Sequence, residues 1–378
     1  MDKIQDVDLK GKRVLIRVDF NVPLNEMKKI TSAKRIEEAI PTIQLALQKG
    51  AKVILCSHLG RPKGKVDERY SLEPVYEYLK QRLSNKVYFA KSCIGEETVK
   101  QSEQLNEGEI LLLENVRFYE GEEKNDPEFA KELAKLADYF VDDAFGTSHR
   151  KHASNAGVSA ILPSAYGLLM QREMEMLNLN DKKHPIVAVL GGAKVSDKIE
   201  LISNLINKVD SILIGGAMAF TFIKALSGSV ANSKVEDDKL DAAIEIMEKA
   251  KQKGVDFVLP LDFIIAKSVD DCKCKKSNAF LIPSDYMGVD IGKKTIKEFA
   301  NYLKSAETIF WNGPLGVIEN PKFAKGSLKI AKIIAKSKAF SIVGGGDSVA
   351  LIEKARLTDD ISFISTGGGA SLFYLQNN

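Results

Sequence analysis

Short unbroken apolar runs alternate along the chain with stretches in which apolar residues return every three or four positions. Residues 13–18, 51–56, 86–90, 109–113 and 139–141 have the density of strands buried on both faces, and 32–48, 74–83 and 127–137 have the spacing of helices. Strands alternating with helices predict a parallel sheet with crossover connections. The pattern resumes after residue 180, with runs at 186–190, 211–214, 257–261, 308–311, 340–343 and 361–364, most of them ending in a glycine cluster. Between the halves, residues 166–177 carry Met170, Met174 and Leu177 on one helical face, after Pro163 and before the polar Asn180-Asp-Lys-Lys183. The chain thus reads as α/β, with a first domain over 1–165, a connecting helix within 166–180 and a second domain over 181–362.

Chemistry enters at the strand ends. The run Ile186-Val-Ala-Val-Leu190 breaks at Gly191-Gly192, and helical spacing resumes over 196–206. Glycines there let the backbone approach a ligand, and the opening turn of a helix presents unpaired N–H groups. Lys194 and Lys198, four apart, are expected on one side of that turn, where a lone cation opposes the helix dipole by roughly 0.3–1 kcal/mol. They read either as partners of an anion or as solvated lysines of a surface helix. Several strand-glycine-helix units in one parallel sheet point to a phosphate-rich ligand held by backbone amides. No loop has the Walker pattern or the dinucleotide fingerprint. Asp347, after Gly344-Gly-Gly at a predicted helix start, is either a magnesium ligand beside phosphates or an N-cap. Glu319, past Gly316, either accepts from ribose hydroxyls or is a solvated acid.

Arginine usage changes the picture of the first half. Of 54 cationic side chains only ten are arginine, and none lies between Arg172 and Arg356. Lysine is the default surface cation, so arginines mark places where a two-pronged donor is wanted. Arg17, Arg61, Arg117 and Arg150, with His58, fall at or just past strand ends, and Arg35 lies in the first turn of a helix. Ligands of parallel sheets bind beyond the carboxyl ends of the strands, so this set is expected to line one rim and to receive a small polyanion with carboxylate and phosphate groups. Arg17, Asp19 and Asn21 alternate and would share a side if the strand continued. His58 and His149 are either ligand-facing or hydrogen-bonded loop histidines; His152 and His184 give no reason to prefer function.

Totals mainly exclude. A net charge of +3 is too small to call for nucleic acid or an anionic membrane surface. No apolar run has the length of a membrane span and the N-terminus lacks a signal pattern, which predicts a cytoplasmic protein. Cys56 and Cys93 sit in or beside apolar runs, as expected in a reducing compartment, and Cys272-Lys-Cys274 reads as a polar surface loop rather than a metal site.

Seven motifs, in this order over nearly the whole chain, resemble phosphoglycerate kinase. They are Arg17-Val-Asp-Phe-Asn-Val-Pro, Ser57-His-Leu-Gly-Arg-Pro, Asp143-Ala-Phe-Gly-Thr-Ser-His-Arg, Gly191-Gly-Ala-Lys-Val-Ser-Asp-Lys, Trp311-Asn-Gly-Pro-Leu-Gly, Gly344-Gly-Gly-Asp-Ser and Ser365-Thr-Gly-Gly-Gly-Ala. The resemblance implies two Rossmann-like lobes, each a parallel sheet flanked by helices, joined by a helix. It implies transfer of a phosphoryl group between 1,3-bisphosphoglycerate and ADP, giving 3-phosphoglycerate and ATP with Mg2+, in a monomer whose lobes close. By motif position, Arg17, Asp19, Asn21, Arg35, His58, Arg61, Arg117 and Arg150 would hold the phosphoglycerate. Gly192, Ala193, Lys198, Gly216, Gly288, Asn312, Pro314, Glu319, Gly345, Asp347 and Ser348 would hold the nucleotide, Asp347 also its metal. Arg35, Lys194 and the amides after Thr366, Gly368 among them, would meet the phosphoryl group in flight.

Three departures from the family pattern stand out. The loop Asn25-Glu-Met-Lys-Lys-Ile30 lacks an Asp-Gly turn, and Gly215-Gly216-Ala217 replaces a triple glycine. Residues 363–378, expected to return toward the N-terminal lobe, stop short of the family's tail. The alternative is a two-lobed protein that closes on a phosphorylated ligand without turnover.

Overall fold

The computed structural model describes residues 1–271 and 273–378. Cys272, and with it the Cys272-Lys-Cys274 motif, lies outside the described residues. Contacts divide the chain into two compact units, Met1–Glu175 and Met176–Asn378.

In the first unit, β1 (Asp2–Lys3), β2 (Arg13–Arg17), β3 (Lys52–Cys56), β4 (Val87–Ala90), β5 (Ile110–Leu113), β6 (Tyr139–Asp142) and β7 (Ser164–Tyr166) form one parallel sheet. Their order is β1-β7-β6-β2-β3-β5-β4. Helices α1 (Lys34–Gln48), α2 (Glu73–Arg82), α3 (Glu96–Glu103), α4 (Glu120–Glu123) and α5 (Pro127–Ala134) complete it. Both faces of the sheet are covered. Val14, Ile16, Val53 and Leu55 enter one core, while Leu15, Ile54 and Cys56 enter the other. That is why these strands read as unbroken apolar runs. Strands β1 and β7 and helix α3 escape the apolar pattern, the strands by brevity and the helix by its polar composition.

Helix α6 (Leu168–Leu177) occupies the stretch expected to connect the two halves, with Met170 and Leu177 buried. Its start is fixed by Asp143, whose Oδ1 accepts the amides of Leu169 (2.9 Å) and Met170 (3.2 Å). Gly167 makes room for this cap, because a Cβ there would lie 2.1 Å from that oxygen.

The second unit contains β8 (Ile186–Leu190), α7 (Ile199–Leu205), β9 (Ser211–Ile214), α8 (Met218–Ala225), α9 (Leu240–Gln252), β10 (Asp256–Val258), β11 (Asp262–Ala266), β12 (Lys275–Asn278) and β13 (Met287–Ile291). It continues through α10 (Lys293–Ser305), β14 (Thr308–Asn312), α11 (Lys325–Ala335), β15 (Phe340–Gly344), α12 (Gly346–Lys354), β16 (Phe363–Ile364) and α13 (Gly369–Asn377). A six-stranded parallel sheet has the order β10-β9-β8-β14-β15-β16. The strand expected at 257–261 is cut short: β10 runs from Asp256 only to Val258, and Pro260, which has no N–H for a ladder, separates it from β11. Strands β12, β11 and β13 form a separate antiparallel sheet, an addition to the expected parallel architecture.

Strand order reverses between β2 and β6 in one sheet and between β8 and β14 in the other. Such switch points open a crevice at the carboxyl edge. Helix α13 packs on α7, and Asn204 Nδ2 donates to Leu375 O (2.5 Å). Residues 363–378, expected to turn toward the first lobe, are therefore anchored within the second unit. In the loop at Asn25, Lys28 itself takes the left-handed conformation (φ +56°) that an Asp-Gly turn assigns to glycine. Ala217 has φ −68°, so its backbone makes no demand for the third glycine.

Candidate active site

The carboxyl ends of β2, β3, β5 and β6 carry the predicted first-unit residues, with Arg35 opening α1. Their loops are stitched together by side chains. Asn21 Oδ1 accepts the Gly60 amide (2.9 Å), Ser57 Oγ accepts the Phe20 amide (2.8 Å), and Asn115 Nδ2 donates to Leu59 O (2.7 Å). Arg117 Nη1 donates to Gly60 O (2.8 Å). Asp19 accepts the Asn21 amide at Oδ1 (3.1 Å) and pairs with Arg35 Nη1 through Oδ2.

His58 lies at the focus of this set. Burial holds its ring well below the ordinary histidine range, and the charges of Arg17, Arg117, Arg35 and Arg150 push it further. The imidazole is neutral. Arg17 Nη2 stands 3.3 Å from His58 Nδ1, and a guanidinium can only donate, so Nδ1 accepts and Nε2 carries the proton. Three guanidiniums, with Arg17 buried behind them, and one neutral N–H donor have the chemistry to receive an anion.

The structure corrects two expectations. Arg17 does not line the rim, being 1% exposed, and strand β2 ends at it, so the alternation with Asp19 and Asn21 lapses. Two of the other arginines have acids beside them: Arg35 pairs with Asp19, and Arg117 Nε lies 3.3 Å from Glu123 Oε1. Arg117 Nη2, however, is buried without a hydrogen-bond partner, and desolvation lowers this guanidinium's pKa. Arg61 is exposed and Arg150 half-buried, its Nε 3.4 Å from His149 Nε2.

In the second unit the loops after β8, β9 and β14 meet backbone to backbone. Gly191 N donates to Asn312 O (2.9 Å), Gly192 N to Pro314 O (2.9 Å), Gly216 N to Leu315 O (3.2 Å) and Met218 N to Gly192 O (3.0 Å). Trp311, fully buried, fixes the third loop by donating from Nε1 to Gly313 O (2.8 Å). A cavity of about 640 Å³ opens beside them. Gly192, Ala193, Gly216, Gly288, Pro314, Glu319 and Asp347 line it, as expected. Its apolar wall of Phe220, Phe263, Met287, Val289, Leu315 and Val317 has the chemistry of a site for a flat aromatic ring. Sequence reading missed that wall, because an apolar residue facing a pocket looks like one facing a core.

Four predicted residues stand behind the lining. Lys198 Nζ hydrogen-bonds Asn312 Oδ1, Ser348 Oγ accepts the Gly313 amide (2.7 Å), and Gly345 caps α12. Lys198 is 7% exposed, and burial pushes its pKa down to about 8, with Asp197 and Asp347 acting in the opposite sense. The expected pairing of Lys194 and Lys198 on one helical turn is not found. Helix α7 starts only at Ile199, leaving Lys194 exposed in the preceding loop and Lys198 turned inward at the N-cap. Gly368 (φ +54°) caps α13, whose first amides follow it.

Asp347, exposed in the first turn of α12, offers one carboxylate at the cavity's edge. Among the described residues no cluster of three or more histidine, cysteine or acidic side chains could hold a metal by itself. The donor set fits a hard cation held by one carboxylate together with a ligand's phosphates. Among the same residues no helix is long and apolar enough to cross a membrane.

Comparisons of the whole chain with known proteins agree with one another. The sequence pattern of the phosphoglycerate kinase family matches residues 4–378. A phosphoglycerate kinase of Dictyoglomus turgidum is 52% identical over 377 residues, 99% of this chain and 95% of that one. One from Leptospira biflexa is 50% identical over 376 residues, with the same coverage. The phosphoglycerate kinase structure from Coxiella burnetii superposes with a TM-score of 0.91 at 42% identity, covering 100% of this chain and 96% of that one. The Pyrococcus horikoshii structure gives 0.81 at 32% identity, with the same coverage.

Proposed function

The chain belongs to the phosphoglycerate kinase family, and from that premise we propose how its residues divide the work. It is a kinase of glycolysis, moving a phosphoryl group reversibly between 1,3-bisphosphoglycerate and ADP to give 3-phosphoglycerate and ATP. The relatives lend no support to the binding-only alternative. Asp19, Asn21, His58, Arg61, Arg117 and Arg150 hold the phosphoglycerate, with Arg17 acting behind them. Gly192, Ala193, Gly216, Gly288, Pro314 and Glu319 hold the nucleotide, supported by Lys198, Asn312, Gly345 and Ser348. The observation that carries this reading is the convergence of four arginines on a neutral His58, with a buried unpartnered nitrogen on Arg117.

Asp347 and the nucleotide's phosphates would hold a Mg2+ ion, which would supply the charge that neutralises those phosphates. In-line phosphoryl transfer needs alignment, charge neutralisation and exclusion of water rather than covalent help from the protein. Arg35, Lys194 and the amide of Gly368 supply positive charge to the group in flight. Because the two ligands belong to different units, neither unit is competent alone, and transfer follows closure. The enzyme acts as a monomer, since no catalytic group need come from a second copy. Its place is the cytoplasm, where the free thiols of Cys56 and Cys93 stay reduced.

Arg61 gives the cleanest test, because an exposed side chain can be removed without disturbing the core. Calorimetric titration of Arg61→Ala should show 3-phosphoglycerate bound about tenfold more weakly, the worth of one charge-assisted contact, with ADP unchanged. Equal loss of both would refute the division between units.

Lys198 gives a pH dependence. Phosphates arriving beside it favour the ammonium, so above about pH 8 binding takes up a proton and ADP affinity falls as pH rises. Titrations from about pH 7 to about pH 9.5 should show affinity level at first, then falling by up to about tenfold per unit; Lys198→Met should be weak and flat. The unliganded protein behaves oppositely. Its folded pKa is depressed below the unfolded one, so the unfolded chain binds more protons between the two values and stability rises with pH there.

A further inference from the structure

We propose that Glu122 is a positioning residue for the phosphoglycerate site: through Ser154 and Arg17 its carboxylate fixes His58 with the proton on Nε2, the tautomer that donates to an anion. The proposal rests on the reading that His58 meets the substrate.

Glu122 lies on α4 and is fully buried, as is Ser154, in the π-helical turn Ala153–Gly157. Both carboxylate oxygens are engaged by that serine, Oε1 by its hydroxyl (2.7 Å) and Oε2 by its amide (2.9 Å). A serine hydroxyl has one proton. Given to Glu122, it leaves Oγ an acceptor, and Arg17 Nε donates to it (2.8 Å). Arg17 Nη1 donates to Val18 O (2.5 Å), so the guanidinium is held in two places and Nη2 is left facing His58 Nδ1. Nδ1 can then only accept.

The charges close the account. Burial pushes the Glu122 carboxyl up, but His152, Arg17 and the two groups of Ser154 outweigh it and hold it below the ordinary carboxylate range. His152 Nδ1 is 3.6 Å from Oε1. The ionised carboxylate therefore balances a buried arginine that reaches no solvent. Buried opposite charges are weak sources of stability compared with apolar packing, and the use best matched to this pair, joined through Ser154, is to fix a geometry. Ser154 and Glu122 carry no signal in the sequence, since neither lies at a strand end or in a glycine turn.

Ser154→Ala, which removes only a hydroxyl, and Glu122→Gln, which sets a competing amide against the serine, should be compared with wild type by 15N NMR of the histidine rings. Four histidines keep the spectrum assignable. In wild type His58 should be a single Nε2–H tautomer; both variants should lose it and raise KM for 3-phosphoglycerate about tenfold, with kcat within about twofold. Ser154→Ala takes one bond from each of two buried charged groups, so it should melt lower than wild type but in a single cooperative transition, which keeps the test valid should Glu122→Gln fail to fold. Retention of the Nε2–H tautomer in Ser154→Ala overturns the proposal. So does a lost tautomer with KM unchanged, where His58→Ala does raise KM. If His58→Ala leaves KM unchanged, the reading of the site fails instead, whatever the tautomer does.

Discussion

Arg35→Ala should lower kcat by about three orders of magnitude while weakening 3-phosphoglycerate binding far less, since an arginine brought to a phosphoryl group in transit is worth about 10³ to 10⁵ in rate in related chemistry. The structure supports that split. Arg35 opens α1 rather than lying in the stitched floor of the site, its side chain is 39% exposed, and Nη1 rests on Asp19 Oδ2. It is held in place by an acid yet open to solvent, as a group awaiting a transient charge should be. Arg35→Lys should recover only part of the rate, because an ammonium cannot make the two parallel contacts of a guanidinium. Single-turnover measurement by rapid quench separates the chemical step from binding. A fall in that step of less than about tenfold would remove Arg35 from the transfer and return it to the ground-state site. Asp19 loses its partner in either case, and thermal melts should show a loss of at most about 1 kcal/mol.

How far the sequence could be read follows from what each residue faces. Apolar runs located every long strand of both parallel sheets, because a strand covered on both sides leaves no other pattern. The run at 257–261 overran its strand, which stops at Val258, because Pro260 carried more information than its apolar neighbours. Arginine scarcity singled out the residues proposed for the phosphoglycerate site but could not separate Arg17 from Arg117. Both follow strands, both are buried, and only the structure shows one spent on Ser154 and His58 while the other keeps an unpartnered nitrogen. Lys194 and Lys198 show the opposite failure. Their four-residue spacing was real, but the helix that would have given it meaning starts one residue later than Lys198, and one lysine is buried while the other is exposed. The aromatic wall of Phe220 and Phe263, 4.6 Å apart between ring centroids, was invisible because its partners are distant in sequence.

The glycine clusters, weak signals singly, become strong where they collide. Gly216→Val should weaken ADP binding at least about a hundredfold and destabilise the protein by about 2–4 kcal/mol, because nothing around it can yield. Its φ is +67°, where a β-branched residue is strained, and a Cβ would sit 2.6 Å from Gly192 N and 2.7 Å from both Gly192 O and Pro314 O. Those are backbone atoms of the loops after β8 and β14, so relief requires parting the two strand ends that frame the switch point. Parting them moves the amides and the cavity's polar edge together. Even Gly216→Ala should retain most of the effect, since the clash is at Cβ and not beyond it. Calorimetry should find 3-phosphoglycerate binding nearly intact, because the residues proposed to hold it belong to a different unit and a different sheet from these loops. ADP bound by Gly216→Val within about threefold of wild type would mean that the backbone cradle does not hold the phosphates, and a comparable loss of both ligands would mean that the units do not bind independently.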